Sequence, residues 1–124
     1  MKREIKFKAK RLDGKGWAIG DLLHSYENGA IIVPIEGGGA FSVDPSTICQ
    51  FTGLKDCDGK EVWEGDIIEG NRKAEIFFAQ GAFLIRSIDD NGKETLHSLF
   101  NYIEWNGKLM CRVVGNKFDK ENKV

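Results

Sequence analysis

Proline is almost absent from this chain, at two residues in 124, and histidine is equally scarce. With so few points of fixed φ, the chain must turn by other means, and 15 glycines supply them. Against an average usage of roughly 7%, that excess points to many tight turns between short strands and argues against an all-helical protein. Long apolar runs are also missing. The longest is Ala30-Ile31-Ile32-Val33-Pro34-Ile35, far short of the roughly 20 residues that span a bilayer, so no membrane segment is expected. Cysteine is sparse and odd in number, Cys49, Cys57 and Cys111, and the opening Met1-Lys2-Arg3-Glu4-Ile5-Lys6 has no apolar signal-peptide core. Free thiols in a reducing cytoplasm are the expectation. Finally, there is no excess charge of one sign. Eighteen basic and nineteen acidic residues leave a net charge of −1, so no field of the whole molecule draws it to nucleic acid or anionic lipid.

What is present suits one folded unit. Hydrophobic residues make up 41% and charged residues 30%, inside the globular range, and the length fits a single domain. Ile5, Phe7 and Ala9 alternate with Lys6, Lys8 and Lys10, the period of two that gives a strand one buried and one solvated face. Asp13-Gly14-Lys15-Gly16 then predicts a turn into a strand beginning at Trp17-Ala18-Ile19. Asn28-Gly29 predicts another turn before the β-branched residues 30–35, and Gly37-Gly38-Gly39 separates that run from Phe41-Ser42-Val43. Asp44-Pro45-Ser46 reads as a cap or turn. Closely spaced strands follow around Asp58-Gly59 and Glu64-Gly65-Asp66, and residues 74–79 and 82–88 pair around Gln80-Gly81. Leu96, Leu99, Phe100 and Ile103 have i, i+3, i+4, i+7 spacing, with Thr95 as N-cap, and predict one short helix. A last strand is expected over residues 109–114.

The block Asp44-Pro45-Ser46-Thr47-Ile48-Cys49-Gln50-Phe51-Thr52-Gly53-Leu54-Lys55-Asp56, continuing through Gly59-Lys60-Glu61-Val62-Trp63-Glu64-Gly65-Asp66-Ile67-Ile68, resembles the signature of the YopX family. The opening Arg3-Glu4-Ile5-Lys6-Phe7-Lys8-Ala9, the Gly20-Asp21-Leu22 step and the closing Val113-Val114-Gly115-Asn116 are similar to the family pattern in the same order. The stretch from about residue 70 to 106 follows it loosely. Lys10 stands where an aromatic is common, Cys49 where Gly is usual, Trp63 where Tyr is frequent and Lys117 in place of an apolar residue. The resemblance implies a mainly β protein, an SH3-like barrel or roll with additional N-terminal β-hairpins, encoded by a phage or prophage and acting in the bacterial host cytoplasm. It carries no assigned activity and no catalytic residues. The expected layout is one domain over residues 1–124, with N-terminal strands 1–48, a barrel core 49–116 and a polar tail 117–124.

Site chemistry is thin. The cysteines and His24 and His97 are scattered, without metal-ligand spacing. Asp56, Asp58, Glu61, Glu64 and Asp66 fail a calcium-loop register, because the glycine falls at loop position four and Ile67 takes position twelve. Gly53, Asp58, Gly59, Glu64, Gly65 and Asp66 read instead as architecture, glycines where the chain bends and acids that bond nearby backbone. Gly37-Gly38-Gly39 lacks the Gly-Lys-Ser/Thr that would make it a phosphate cradle. No enzyme, cofactor or metal is expected. The remaining signal is charge segregation. Residues 1–20 hold seven basic and two acidic side chains, net +5, and residues 44–69 hold two basic and seven acidic, net −5. Lys6, Lys8, Lys10 and Arg11, with Trp17 for stacking, form a candidate interaction surface. Three readings compete: a nucleic-acid face, a lysine-lined solvated edge that discourages strand addition, and a basic strand docked on the acidic block within or between copies. Trp17, Trp63 and Trp105 are expected in the core. The reading that follows is a non-catalytic module that binds a protein partner or itself, with a nucleic-acid accessory protein as the alternative.

Overall fold

A computed structural model describes residues 4–24, 29–70 and 72–119. Among these the protein is mainly β, built of two antiparallel sheets. The chain divides into two compact units, Met1–Phe51 and Thr52–Val124.

In the first unit, β1 (Phe7–Lys10), β2 (Trp17–His24), β3 (Ala30–Val33), β4 (Phe41–Val43) and the start of β5 (Cys49–Lys55) are ordered β4-β3-β2-β1-β5. The alternation read at residues 5–10 is realised from Phe7 to Lys10, whereas Ile5 lies before the strand and is 52% exposed. Ala9 is fully buried, while Lys8 and Lys10 point to the other face. Arg11 N donates to Gly16 O at 2.8 Å and closes the expected turn into β2. β2 then serves two partners. Residues 17–20 pair with β1, and residues 21–24 pair with β3. Gly20 sits at the changeover, where a Cβ would lie 2.1 Å from Val33 O and 2.7 Å from Pro34 Cα. Only a residue without a side chain lets β2 and β3 approach this closely, and the approach curls the sheet. The curl brings β4 back to the end of β1. Arg11 and Val43 form a bridge, Leu12 N donates to Ser42 O at 3.0 Å and Asp44 N to Lys10 O at 2.8 Å. Inside it Ala9, Ala18 and Ala30 pack with Ile32 and Val43, small residues where the interior is narrow. Asp44 caps the 3-10 turn Pro45–Thr47 by accepting from Ser46 N at 3.0 Å.

In the second unit, β6 (Glu61–Trp63) neighbours the remainder of β5, and β7 (Asp66–Glu69), β8 (Lys73–Ala79), β9 (Ala82–Ile88), β10 (Glu94–Ser98) and β11 (Arg112–Asn116) are ordered β10-β9-β8-β7-β11. Gln80 and Gly81 turn β8 into β9 with positive φ, as their sequence predicts. Val62, Ile68, Ala74, Ile76, Ile85, Leu99 and Leu109 form the core.

Three expectations are corrected. Among the described residues no barrel closes, since each sheet ends in edge strands. Residues 94–98 form a strand rather than the start of a helix, and only a 3-10 turn follows at Leu99–Tyr102, capped by Ser98 and not Thr95. The helical spacing misleads because its members do not share a face. Leu99 is buried, whereas Leu96 and Phe100 are exposed, and Thr95 faces Ser87 across β9. The last strand begins at Arg112, not at residue 109, and a register shift between Val113 and Gly115 accommodates one extra residue. The turn residue Asn28 and the end of the tail, 120–124, lie outside the described residues.

In urea unfolding, Gly20→Ala should lower the free energy of unfolding more than Gly81→Ala, by about 3 kcal/mol or more against about 1–2 kcal/mol. At Gly81 the added methyl meets open space and only the backbone conformation is strained. Equal losses in the two variants would count against a close approach at Gly20.

Candidate functional site

The basic strand is not an edge, because β1 lies between β2 and β5. The solvated-edge reading of its lysines is therefore corrected. Lys8 is opposite Ile19 and Lys10 opposite Trp17, and the ammonium groups of both lie 4.6 Å from the centre of the Trp17 ring. Lys6 Nζ sits 4.7 Å over Phe51 and 2.6 Å from Glu4 Oε1. The Arg11 guanidinium lies 4.2 Å over Phe41 and pairs with Asp13. That hydrogen bond, supported by Lys15 N at 3.0 Å, holds the Asp13 carboxyl below the usual carboxylate range. Lys6, Lys8, Lys10 and Arg11 are each only partly exposed. Alternation and register thus place four cations over three aromatic rings, each contact contributing about 0.5–1 kcal/mol or more. The cations serve to cover the rings.

The acidic block is also occupied. Asp56 is fully buried. Its Oδ1 accepts from Asp58 N at 2.9 Å and Lys60 N at 2.8 Å, and its Oδ2 from Val113 N at 2.8 Å. Burial pushes this carboxyl up, but the three backbone donors from Val113, Lys60 and Asp58 outweigh it and hold it below the usual range. Asp66 is buried too. Its Oδ2 accepts from Trp63 N at 2.7 Å, and its Oδ1 from Asn116 Nδ2 at 2.9 Å. Asn116 Nδ2 also reaches Glu64 O at 3.4 Å, and its Oδ1 accepts from Phe118 N at 3.0 Å. Gly53, Gly59 and Gly65 all carry positive φ. Asp58 stays exposed and faces Arg112 at 3.6 Å. The block therefore reaches across about fifty residues to the closing Val113-Val114-Gly115-Asn116, as β7 pairs with β11 and Asp66 stands opposite Asn116.

The family model described as YopX protein matches residues 13–122 of the chain. This chain belongs to the YopX family. No curated protein matches it.

The family signature thus contributes hydrogen-bonded turns, with Asp56 and Asn116 as two organisers that a search for reactive groups passes over. The legible signal for Asp56 is an Asp two residues before Asp58-Gly59, the pattern of a side chain that bonds its own turn. The Lys117 departure has a local account. Its ammonium lies 3.5 Å from Glu75 Oε2, and the other oxygen of Glu75 accepts from Arg86 at 3.0 Å. Among the described residues, no three His, Cys, Asp or Glu side chains come together as a metal would need, and no helix is long and apolar enough to cross a membrane. A cavity of the second unit, about 520 Å3, is lined by Arg72, Ser87, Tyr102, Cys111 and apolar neighbours. The Ser87 hydroxyl there already bonds Thr95 at 2.8 Å. Burial and the neighbouring Cys57 push the Cys111 thiol up, so at neutral pH it stays protonated. The tryptophans divide. Trp63 is buried and Trp17 half-buried, but Trp105 is 97% exposed, a correction to its expected place in the core.

Asp56→Asn should cost about 2–4 kcal/mol at neutral pH, because one carboxylate oxygen becomes an amide facing backbone donors. Since the folded carboxyl titrates below the unfolded one, its contribution is present at neutral pH and is lost as the pH falls through the folded value, below about pH 4. Urea midpoints measured from pH 7 to pH 3 should therefore fall less steeply in the variant. Parallel slopes would contradict the assignment.

Proposed function

We propose that this YopX-family chain is a non-catalytic protein-interaction module of phage or prophage type, working in a bacterial cytoplasm. The observation that carries the reading is where apolar surface is left over. In the second unit Trp105 is 97% and Phe100 77% exposed, with Ile88, Leu96, Met110 and Phe78 about half exposed. The first unit also exposes apolar side chains, Leu12 at 66% and Ile35 at 64% among them, but the two most exposed large apolar residues among those described are the aromatics Phe100 and Trp105, the residue type that anchors contact surfaces. The polar chemistry points the same way. Asp56 and Asp66 are engaged with backbone donors, and the Cys111 thiol is held protonated. The nucleic-acid reading draws less support, because Lys8 and Lys10 cover the Trp17 ring that would have to stack on a base.

Two measurements test this. A single-stranded oligonucleotide titrated at low and moderate salt should show no salt-sensitive binding. Binding that weakens steeply with salt and is reduced by Lys8→Glu with Lys10→Glu would favour the nucleic-acid alternative. Immobilised protein should retain specific bacterial proteins that the Phe100→Ala, Trp105→Ala double variant does not, while circular dichroism stays unchanged. Identical capture by both proteins would remove the exposed aromatics as the contact surface.

A further inference from the structure

The two sheets end in four edge strands among the described residues, and three of them are shielded. β4 is covered where Val43 bridges Arg11 and Leu12 N bonds Ser42 O. β11 is interrupted by its register shift, and the Asp56 carboxylate takes Val113 N at its outer side. β6 is only three residues long, and its last amide is taken by Asp66. These are the devices by which natural sheets avoid adding a foreign strand. β10 has none of them. Its five residues, Glu94-Thr95-Leu96-His97-Ser98, pair with β9 in an unbroken register and contain no proline, lysine or bulge. The single charge is Glu94, at the first position.

We propose that β10 is the self-association edge of this protein, pairing antiparallel with β10 of a second copy about a two-fold axis at Leu96. The occupant is fixed by self-complementarity. An antiparallel pair centred on Leu96 sets Leu96 against Leu96, Glu94 against Ser98 and Thr95 against His97, so no like charges face each other and the carboxylate meets a hydroxyl. A centre one residue earlier sets Glu94 against the apolar Leu96 and brings Lys93 opposite His97. The register to β9 adds an apolar contribution. Leu96 is opposite Arg86 and Glu94 opposite Ile88, so Leu96 and Ile88 share the outer face, where they are 54% and 55% exposed. The two-fold places a second such pair beside the first. Buried apolar area and newly paired backbone groups then act together. The pairing joins two five-stranded sheets into one of ten.

This inference rests on the interaction-module reading but can fail without it. Sedimentation over about a hundredfold range of protein concentration should show a monomer–dimer equilibrium. Leu96→Lys sets two ammonium groups face to face, and should leave monomer at every concentration. Leu96 belongs to neither core cluster, so the circular dichroism spectrum should not change. Leu96→Cys in a Cys57→Ser background should form a covalent dimer when oxidised glutathione is added. Two facing thiols then become one disulfide, and the glutathione disulfide is reduced to two thiols. Thr95→Cys in the same background faces His97 across the axis and should cross-link much less. A strictly monomeric wild type, a dimer indifferent to Leu96→Lys, or faster cross-linking at position 95 than at 96 would each overturn the proposal. A monomeric wild type that still captures partner proteins through Phe100 and Trp105 would remove only the β10 pairing.

Discussion

A carboxylate can be buried in a small β protein only if other donors replace the water it gives up. Asp56 meets that condition with three backbone amides, two from its own turn and one from β11. The local pair fixes the turn before β6, and the third amide lies 57 residues further along. One side chain therefore closes a turn and anchors the last strand of the second unit. Asp66 and Asn116 repeat the device at the other end of β11, again joining a turn to a distant segment. Loop closure over fifty residues is entropically costly, and charge-assisted bonds to backbone are among the stronger interactions available to offset it. The register shift after Val113 fits this arrangement, since β11 must satisfy Asp56 with Val113 and Asp66 with Asn116.

Much of the local structure was legible because it depends on neighbours in sequence. Alternation at Phe7 and Ala9 against the lysines, and the Gln80-Gly81 turn, rest on period and backbone preference alone. The readings that failed needed partners the sequence does not name. Leu96, Leu99, Phe100 and Ile103 fit a helical period, but Thr95 and its neighbours had a strand to pair with in β9, and pairing prevailed over spacing. A start of the last strand at Leu109 is too early because that apolar residue extends the hydrophobic run beyond the strand that begins at Arg112. Leu109 is indeed buried, but it bonds Lys55 O from outside the strand. The barrel came from the resemblance, and it does not close, although Gly20 curls the first unit far enough for Arg11 to touch β4.

The candidate surface was legible in the same partial way. The sequence puts Lys6, Lys8 and Lys10 on one face, but whether that face is bare depends on what lies opposite, and register brings Trp17 there. A lysine stem laid over an aromatic ring keeps its charge while losing much of its freedom to follow a phosphate chain. A charge pattern is thus weak grounds for a partner until the aromatic residues around it are placed. Trp105 makes the converse point. Its size favours burial, yet it lies in a turn closed by Lys108 and Glu104, with no strand to carry it inward.

Family membership and function separate here for a physical reason. The residues that carry the family signature are the ones that hold turns, bury carboxylates and fix β7 against β11. They are occupied by architecture, and a side chain whose donors and acceptors are all engaged has little left for a ligand. In the second unit the exposed Phe78, Ile88, Leu96, Phe100 and Trp105 and the unshielded edge of β10 lie in the stretch from residue 70 to 106, where the chain follows the signature loosely. A scaffold fixed by buried hydrogen bonds can tolerate change on such a face, because substitutions there neither open a cavity nor leave a buried donor unpaired. On that argument the signature specifies the platform, and the stretch outside it is where the surface is free to differ.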